Sequence, residues 1–516
     1  MSQSGGTAGR PEPKTVAAPP GGVPAGVVRY GTAAGRWVLL ATIGGSAVAM
    51  LDATVVNVAL PTLGAELGAN VSGLQWVLNG YMLALASLIL LAGSLGDRFG
   101  RRRVFLVGVA WFAVASLLCA MAQSVGQLVA ARVLQGMGGA LLTPGSLALI
   151  QASFHPDDRG RAIGAWSGLG SVAAAVGPFL GGWLVDTVGW RAVFFINLPV
   201  AALVIAVALR DVPESSDPLS ARRLDYAGAV TGALGLAGIT YALIEAGGRG
   251  ATPLVLGAGL LGILALAAFV LVERSSDHPM LPLDIFASSQ FSWTNVVTFA
   301  VYGGLGAVFF LLVVQLQVSL GYSALQAGTA ALPVTVLMLV LSPRAGALSQ
   351  RIGPRLPMSL GPVLAGTGIG LLARVVPGAS YATTVLPAVI LFGIGLGLTV
   401  APLTTTVLAA AEDRHSGLAS GVNNAVARAA QLMAVAVLPA AVGLAGDAYD
   451  DAAVFTAGFR SAMLIAGALV VLGGVIAWLT IDPKLHDRPG APGPERATRR
   501  EAHCDLQGPP LRNVRG

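Results

Sequence analysis

Residues 93–103 read GSLGDRFGRRR, and residues 346–355 read GALSQRIGPR, an offset of 253 positions. Gly93, Leu95, Arg98, Gly100 and Arg102 of the first copy match Gly346, Leu348, Arg351, Gly353 and Arg355 of the second. Each copy closes a long apolar run and opens a short basic loop. The glycines allow a tight turn and close helix approach. Asp97 and the arginines form a charge cluster where the apolar run ends. A positive anchor alone accounts for Arg101, Arg102 and Arg103, but not for the spacing or its repetition. The chain therefore reads as two related halves.

Working outward from the two copies, the flanking sequence is apolar almost throughout. The 516 residues are 55% hydrophobic and only 11% charged, with mean hydropathy +0.75. Soluble domains carry about 25% charged residues, so lipid is the main solvent here. A helix crosses the hydrocarbon in about 20 residues. Fourteen apolar runs meet that length: 38–60, 73–95, 104–122, 128–151, 162–185, 192–209, 226–246, 253–272, 293–317, 327–343, 357–374, 384–409, 419–442 and 460–481. The runs are too long and too uniformly apolar for strands, and helices satisfy their own backbone in lipid.

The basic residues orient the chain. With the N-terminus in the cytoplasm, 25 of the 31 lysines and arginines fall on the cytoplasmic side and four outside. Arg132 and Arg428 remain within runs. Removing one run would invert every later loop and destroy that bias. The expected fold is an all-α polytopic membrane protein: a disordered cytoplasmic N-tail (1–36), a six-helix half (37–210), two inserted helices with linkers (211–290), a second six-helix half (291–482) and a disordered cytoplasmic C-tail (483–516). The net charge of +6 and pI of 9.7 are explained by loops, so nucleic acid is not implied.

Several motifs now point the same way. Residues 93–105 resemble the loop signature of the major facilitator superfamily. Residues 51–61 (LDATVVNVALP) resemble the first-span motif of its fourteen-span drug:proton antiporters, the EmrB/QacA type. RVLQGMGGALLTP (132–144), GSVAAAVGPFLGG (170–182) and WRAVFFINLP (190–199) resemble that family's fourth-span motif, fifth-span antiporter motif and entry to span 6. The resemblance runs over about residues 36–482. It implies a bacterial inner-membrane exporter with cytoplasmic termini, driven by protons through alternating access.

The candidate residues follow. Asp52 sits well inside the first run, where an unpaired ionised carboxylate costs several kcal/mol. It can hold a proton or a cationic partner, and the resemblance makes it an acid of the first-span motif. Arg132 is permanently charged and needs a partner or a wet cavity; the family assigns this arginine to proton coupling. Arg428, within ASGVNNAVARAAQ, is the third candidate for coupling, with a packed ion pair as the equal alternative. Gly93, Asp97, Arg98, Gly100, Arg101 and Arg102 are expected to gate by pairing across the halves in one conformation. Gly170, Gly177, Pro178, Gly181 and Gly182 form the antiporter motif, a smooth face bent at Gly177-Pro178 that seals the half-interface. Asn57, Trp76, Asn79, Tyr81, Gln135 and Asn197 in the first half are candidates to line a substrate cavity. Asn295, Tyr302, Gln315, Asn423 and Asn424 are candidates in the second.

Other chemistries lack their residues. No G-x-x-x-x-G-K occurs, and the only lysines are Lys14 and Lys484, so ATP is not the driver. Gly303-Gly304-Leu305-Gly306 follows no strand and is no nucleotide loop. The five histidines lack metal spacing and no catalytic constellation stands out, so neither a cofactor, a metal nor an enzyme is expected. The two cysteines, Cys119 and Cys504, make no disulfide framework. Residues 327–341 carry no acid, and Gln350 stands at the repeat counterpart of Asp97, so monocationic or neutral amphiphiles fit better than dications. Export of an endogenous metabolite or lipid, proton-coupled import, and a non-transporting sensor stay as alternatives.

Overall fold

The computed structural model describes residues 27–216, 225–276, 279–411, 416–444, 446 and 451–484. It is helical. The first seven helices are α1 (Ala33–Leu67), α2 (Val71–Phe99), α3 (Arg101–Met121), α4 (Val125–Ser153), α5 (Pro156–Thr187), α6 (Ala192–Phe195) and α7 (Asn197–Asp211). Then come α8 (Tyr226–Arg249), α9 (Pro253–Ser275) and α10 (Ser289–Val318). The last six are α11 (Ala324–Ala330), α12 (Leu332–Ile352), α13 (Arg355–Leu372), α14 (Leu386–Ala409), α15 (Ser416–Ala441) and α16 (Ala452–Thr480).

Among the described residues, twelve helical spans are long and apolar enough to cross a membrane, against the fourteen expected. The runs at 162–185 and 357–374 are the two that fall out. α5 carries Asp157, Asp158, Arg159 and Arg161 at its start, ahead of its apolar stretch. In α13 only 18 residues are helical, and they include Arg355, two prolines and four glycines.

Proline sets two breaks that the apolar runs conceal. Pro199 lacks an N–H, and its ring crowds the carbonyl four residues back at Phe195. The run 192–209 therefore splits into α6 and α7 at Ile196. Pro333 does the same between α11 and α12. Residues 1–26 lie outside the described residues, but 27–36 are not a free tail. The Val28 N–H donates to Ser153 O (2.8 Å), the His155 N–H donates to Val28 O (3.1 Å), and α1 starts at Ala33 under the Thr32 side-chain cap. Arg29 pairs with Asp157 and Asp158 at 3.3 and 3.5 Å.

Helices α1–α7 pack on one another, as do α10–α16, giving two bundles. Helices α8 and α9 pack together, and α8 rests on α2 and on α15. Burial of Leu, Val, Ala and Phe continues from one bundle into the other, from Leu60 and Leu63 to Val308 and Leu312. Between described residues, every hydrogen bond joining the two bundles lies toward one end, opposite the 93–103 loop. There Gln75 Nε2 donates to Val435 O (2.6 Å), Gln317 Nε2 to Val58 O (3.0 Å) and the Val71 N–H to Gly446 O (3.1 Å). The Ala324 and Leu325 N–H groups donate to the two Asp186 carboxylate oxygens at 3.2 and 3.0 Å.

Candidate functional site

The chemistry of the first bundle converges on one carboxylate. Asp52 stands in the middle of α1 and is fully buried, and Arg132 on α4 is 1% exposed. Arg132 Nη1 donates to Asp52 Oδ2 at 2.5 Å and to Gln135 Oε1 at 2.5 Å. Its Nε donates to Val77 O at 3.1 Å. Gln135, one turn along α4, donates from Nε2 to Asp52 Oδ1 (2.8 Å) and to Ser116 Oγ on α3 (2.8 Å). Asn197, the first residue of α7, donates from Nδ2 to the same two oxygens at 3.2 Å each. The guanidinium lies over the Tyr81 ring, 4.4 Å from its centroid, and Tyr81 is held edge-on by Phe112.

A buried carboxylate is tolerated when charge and donors surround it. Here one cation and two amides do so, drawn from α4 and α7. Arg132 does not reach the membrane surface, so the bundle interior is where its charge is balanced. Four expected residues (Asp52, Arg132, Gln135 and Asn197) thus meet, with Tyr81 beneath them. Ser116, and Cys119 whose Sγ lies 3.6 Å from Gln135 Oε1, were not singled out in the sequence. A serine or a cysteine within an apolar run carries no periodic signal.

The other cavity candidates separate. Asn57 and Asn424 donate to carbonyls of their own helices, Ala53 O and Ser420 O. Trp76 is turned to the inserted helix, with Nε1 on Glu245 Oε1 at 3.0 Å. Gln315 is fully buried and bonds Val375 O and Thr456 Oγ1, tying α10 to its own bundle. Asn423 donates to Asn295 Oδ1 (3.2 Å) and Thr298 Oγ1 (2.7 Å), tying α15 to α10. Tyr302 and Arg428 stand on that same pair of packed helices, α10 and α15. Asn79 is buried with neither amide atom bonded. Arg428 has no carboxylate partner among the described residues.

The loop 93–103 is bound to its own bundle rather than to the other. Asp97 pairs with Arg101 one turn on, at 2.7 Å. Glu214, beyond α7, accepts from the Arg102 and Arg103 N–H groups at 3.0 and 3.2 Å. Arg98 is exposed over Phe99, and Gly93 faces Pro144. The cross-half pairing expected of Asp97 is absent among the described residues, because the bundles are fastened together at the opposite end. Gly100 and Gly353 both adopt positive φ, +104° and +86°. Arg102 Nη1 donates to Val212 O (3.0 Å), and Arg355 Nε donates to Ile481 O (2.6 Å). The two arginines matched by the repeat thus cap the last helix of their respective bundles.

In α5, Gly170, Gly177 and Gly181 lie against Met50, Thr54 and Val55 of α1. Gly182 abuts the other bundle: a β-carbon there would meet Leu325 Cα at 2.5 Å. Gly328 of α11 in turn lies on the Pro178 carbonyl. The glycines therefore bring α5 into backbone contact with α1 on one side and α11 on the other. Among the described residues no cluster of three or more His, Cys, Asp or Glu is placed to hold a metal.

Residues 42–435 match the Major Facilitator Superfamily, and the chain belongs to that family of transporters. It is a multi-pass membrane protein. It is 36% identical over 461 residues to the puromycin resistance protein pur8 of Streptomyces alboniger, covering 87% of this chain and 92% of that one. It is 34% identical to the methylenomycin A resistance protein of Bacillus subtilis (86% and 93% covered). It is also 34% identical to the tetracenomycin C resistance and export protein of Streptomyces glaucescens (80% and 77%). Among solved structures, the inward-open xylose transporter XylE of E. coli shares the fold at a TM-score of 0.58 and 18% identity, with 86% and 96% covered.

Proposed function

We propose that this protein is a proton-coupled antiporter of the fourteen-span drug-export type, moving small amphiphilic compounds out of a bacterial cell by alternating access. The observation that carries the coupling is the fully buried Asp52 carboxylate joined to Arg132. A proton on Asp52 cancels its charge and releases Arg132 from its strongest partner. The guanidinium keeps Gln135, the Val77 carbonyl and Tyr81. Helices α1 and α4 then lose a tie that the ionised state holds, and the balance between two bundle arrangements shifts. One proton crossing 100 mV yields about 2.3 kcal/mol, which supports a gradient of roughly 50-fold in a neutral substrate.

The export direction is supported by relatives whose names are resistance and export proteins. The membrane arrangement belongs to the same proposal. α5 and α13 cross as well, since α5 runs along α1 and α13 packs between α14 and α16. That gives two six-helix halves (37–210 and 291–482) and two inserted helices in the bacterial inner membrane, with both termini cytoplasmic. The hydrogen-bonded end is then the outer one, and the structure is closed to the outside. Its partners are protons, a small-molecule substrate and lipid, with no ATP or nucleic acid. The lack of an acid at 327–341 speaks against dications.

Dye efflux from cells carrying the protein, with and without a protonophore, tests the reading. Efflux is expected to stop when the proton gradient collapses. Efflux that continues unchanged would sink it. Export of an endogenous metabolite is the second reading, favoured by the relative named for both tetracenomycin C resistance and its export. Loss of a secreted compound on deletion of the chain separates the two.

A further inference from the structure

Three ionisable residues stand deep in the apolar runs. Asp52 and Arg132 neutralise each other, and Arg428 is left over. It is half-buried on α15, with no carboxylate and no hydrogen-bond acceptor among the described residues. An arginine inside a membrane stays charged and is costly without an anion or water.

Helix register shows what surrounds it. α2 and α15 run antiparallel: Gln75 reaches the Val435 carbonyl, and Leu90 lies against Gly421. Four residues on from Gln75, Asn79 is level with Gln431, four residues back from Val435. Asn79 is 1% exposed, and neither its Nδ2 nor its Oδ1 has a partner; Gln431 Oε1 is likewise buried and unpartnered. Arg428 precedes Gln431 by three residues, which puts both on one helix face. On the other flank, α10 touches Gln431 at Gly306, where a β-carbon would meet Gln431 Cα at 2.8 Å. Tyr302 lies one turn before Gly306. Arg428 is carried by α15, which packs on α10 of its own bundle and on α2 of the other, so its helix lies in the seam between the bundles.

Buried amide atoms without partners are uncommon, and each costs about 1–3 kcal/mol. Two such amides beside an unbalanced guanidinium make a set of groups that lacks its ligand. We propose that Arg428, with Asn79 and Gln431, receives the anionic group of the exported amphiphile, a carboxylate or a group of similar acidity. The inference rests on the export reading and departs from the neutral or monocationic cargo expected from sequence. A carboxylate offers two oxygens to the guanidinium fork and an acceptor to the Asn79 amide N–H. Asn79 Oδ1 and Gln431 Oε1 accept from a hydroxyl or N–H next to the acid. A cationic head group would meet repulsion at the same place.

Equilibrium binding to the full chain in lipid nanodiscs tests this, with empty nanodiscs subtracted. The probes are dansylglycine and dansylglycine methyl ester, which differ only in the charge of the carboxyl group. The wild type is expected to bind the acid at least about tenfold more tightly than the ester. Arg428→Gln should erase that preference, and Arg428→Lys should keep a preference for the acid. A wild type that favours the ester or ignores both probes overturns the inference, as does an Arg428→Gln variant that still prefers the acid. Should Arg428→Gln bind neither probe, Arg428→Lys decides: ester binding without a preference for the acid overturns it. Binding needs no proton gradient, so protonophore-insensitive efflux would defeat proton coupling while leaving export and this preference standing.

Discussion

At Asp52 a single side chain joins three helices, because its two oxygens receive donors from α4 and α7 while its backbone belongs to α1. Arg132→Ala removes the only charge partner and leaves a buried carboxylate with amides alone. Breaking such a pair costs about 3–5 kcal/mol, to be read as a lowered melting temperature in detergent. Asp52→Asn and Arg132→Ala are both expected to abolish efflux driven by a pH gradient in inverted vesicles, with the chain still inserted. Normal transport by either variant would remove that residue from the coupling step. Asp52, Arg132, Gln135 and Asn197 were legible as polar residues in apolar runs, since burying such groups demands a reason. Ser116 and the unpartnered state of Gln431 were not, because their significance lies in what stands beside them.

Helices contribute through small residues and caps. Gly182 on α5 and Gly328 on α11 let two bundles touch backbone to backbone. Gly182→Leu is expected to prevent that closure, so that transport falls at least tenfold while membrane insertion persists. Wild-type transport by that variant would show that the contact is dispensable. Arg102 and Arg355 occupy matched positions and bond the carbonyls just past α7 and α16. Arg355→Ala should cost about 1 kcal/mol by freeing that carbonyl, and Arg102→Ala a similar amount. A large inequality in thermal stability between the two variants would argue against equivalent roles. Gly353→Ala should cost more than either, because positive φ disfavours a side chain and the Pro483 backbone fills the space.

For the molecule as a whole, every hydrogen bond between described residues of the two bundles lies toward one end. Alternating access requires that end to open. A Gln75→Cys and Val435→Cys pair, oxidised to a cross-link, is expected to stop efflux, with recovery on reduction. Undiminished turnover by fully cross-linked protein would exclude separation of the bundles there. The loop at 93–103 lies at the other end and is held by Glu214 of its own bundle. On the alternating-access proposal, cross-half pairing by Asp97 would belong to an arrangement in which this end closes instead.

Composition, run length, loop charge and the 253-residue repeat pointed to helices in lipid, two related halves, and an acid and an arginine buried separately in the spans. Those are properties of transfer free energy and periodicity, which a linear chain displays openly. What only the tertiary structure decided was which groups meet. It divided nine of the eleven cavity candidates between Asp52's surroundings, helix-to-helix ties and self-bonded amides, and left Asn79 with neither amide atom bonded. It showed the repeat arginines to be caps, and it left Arg428 without a counter-charge. Hydrogen bonds and ion pairs depend on distances of about 3 Å between residues far apart in sequence, and helix register rather than residue type sets those distances.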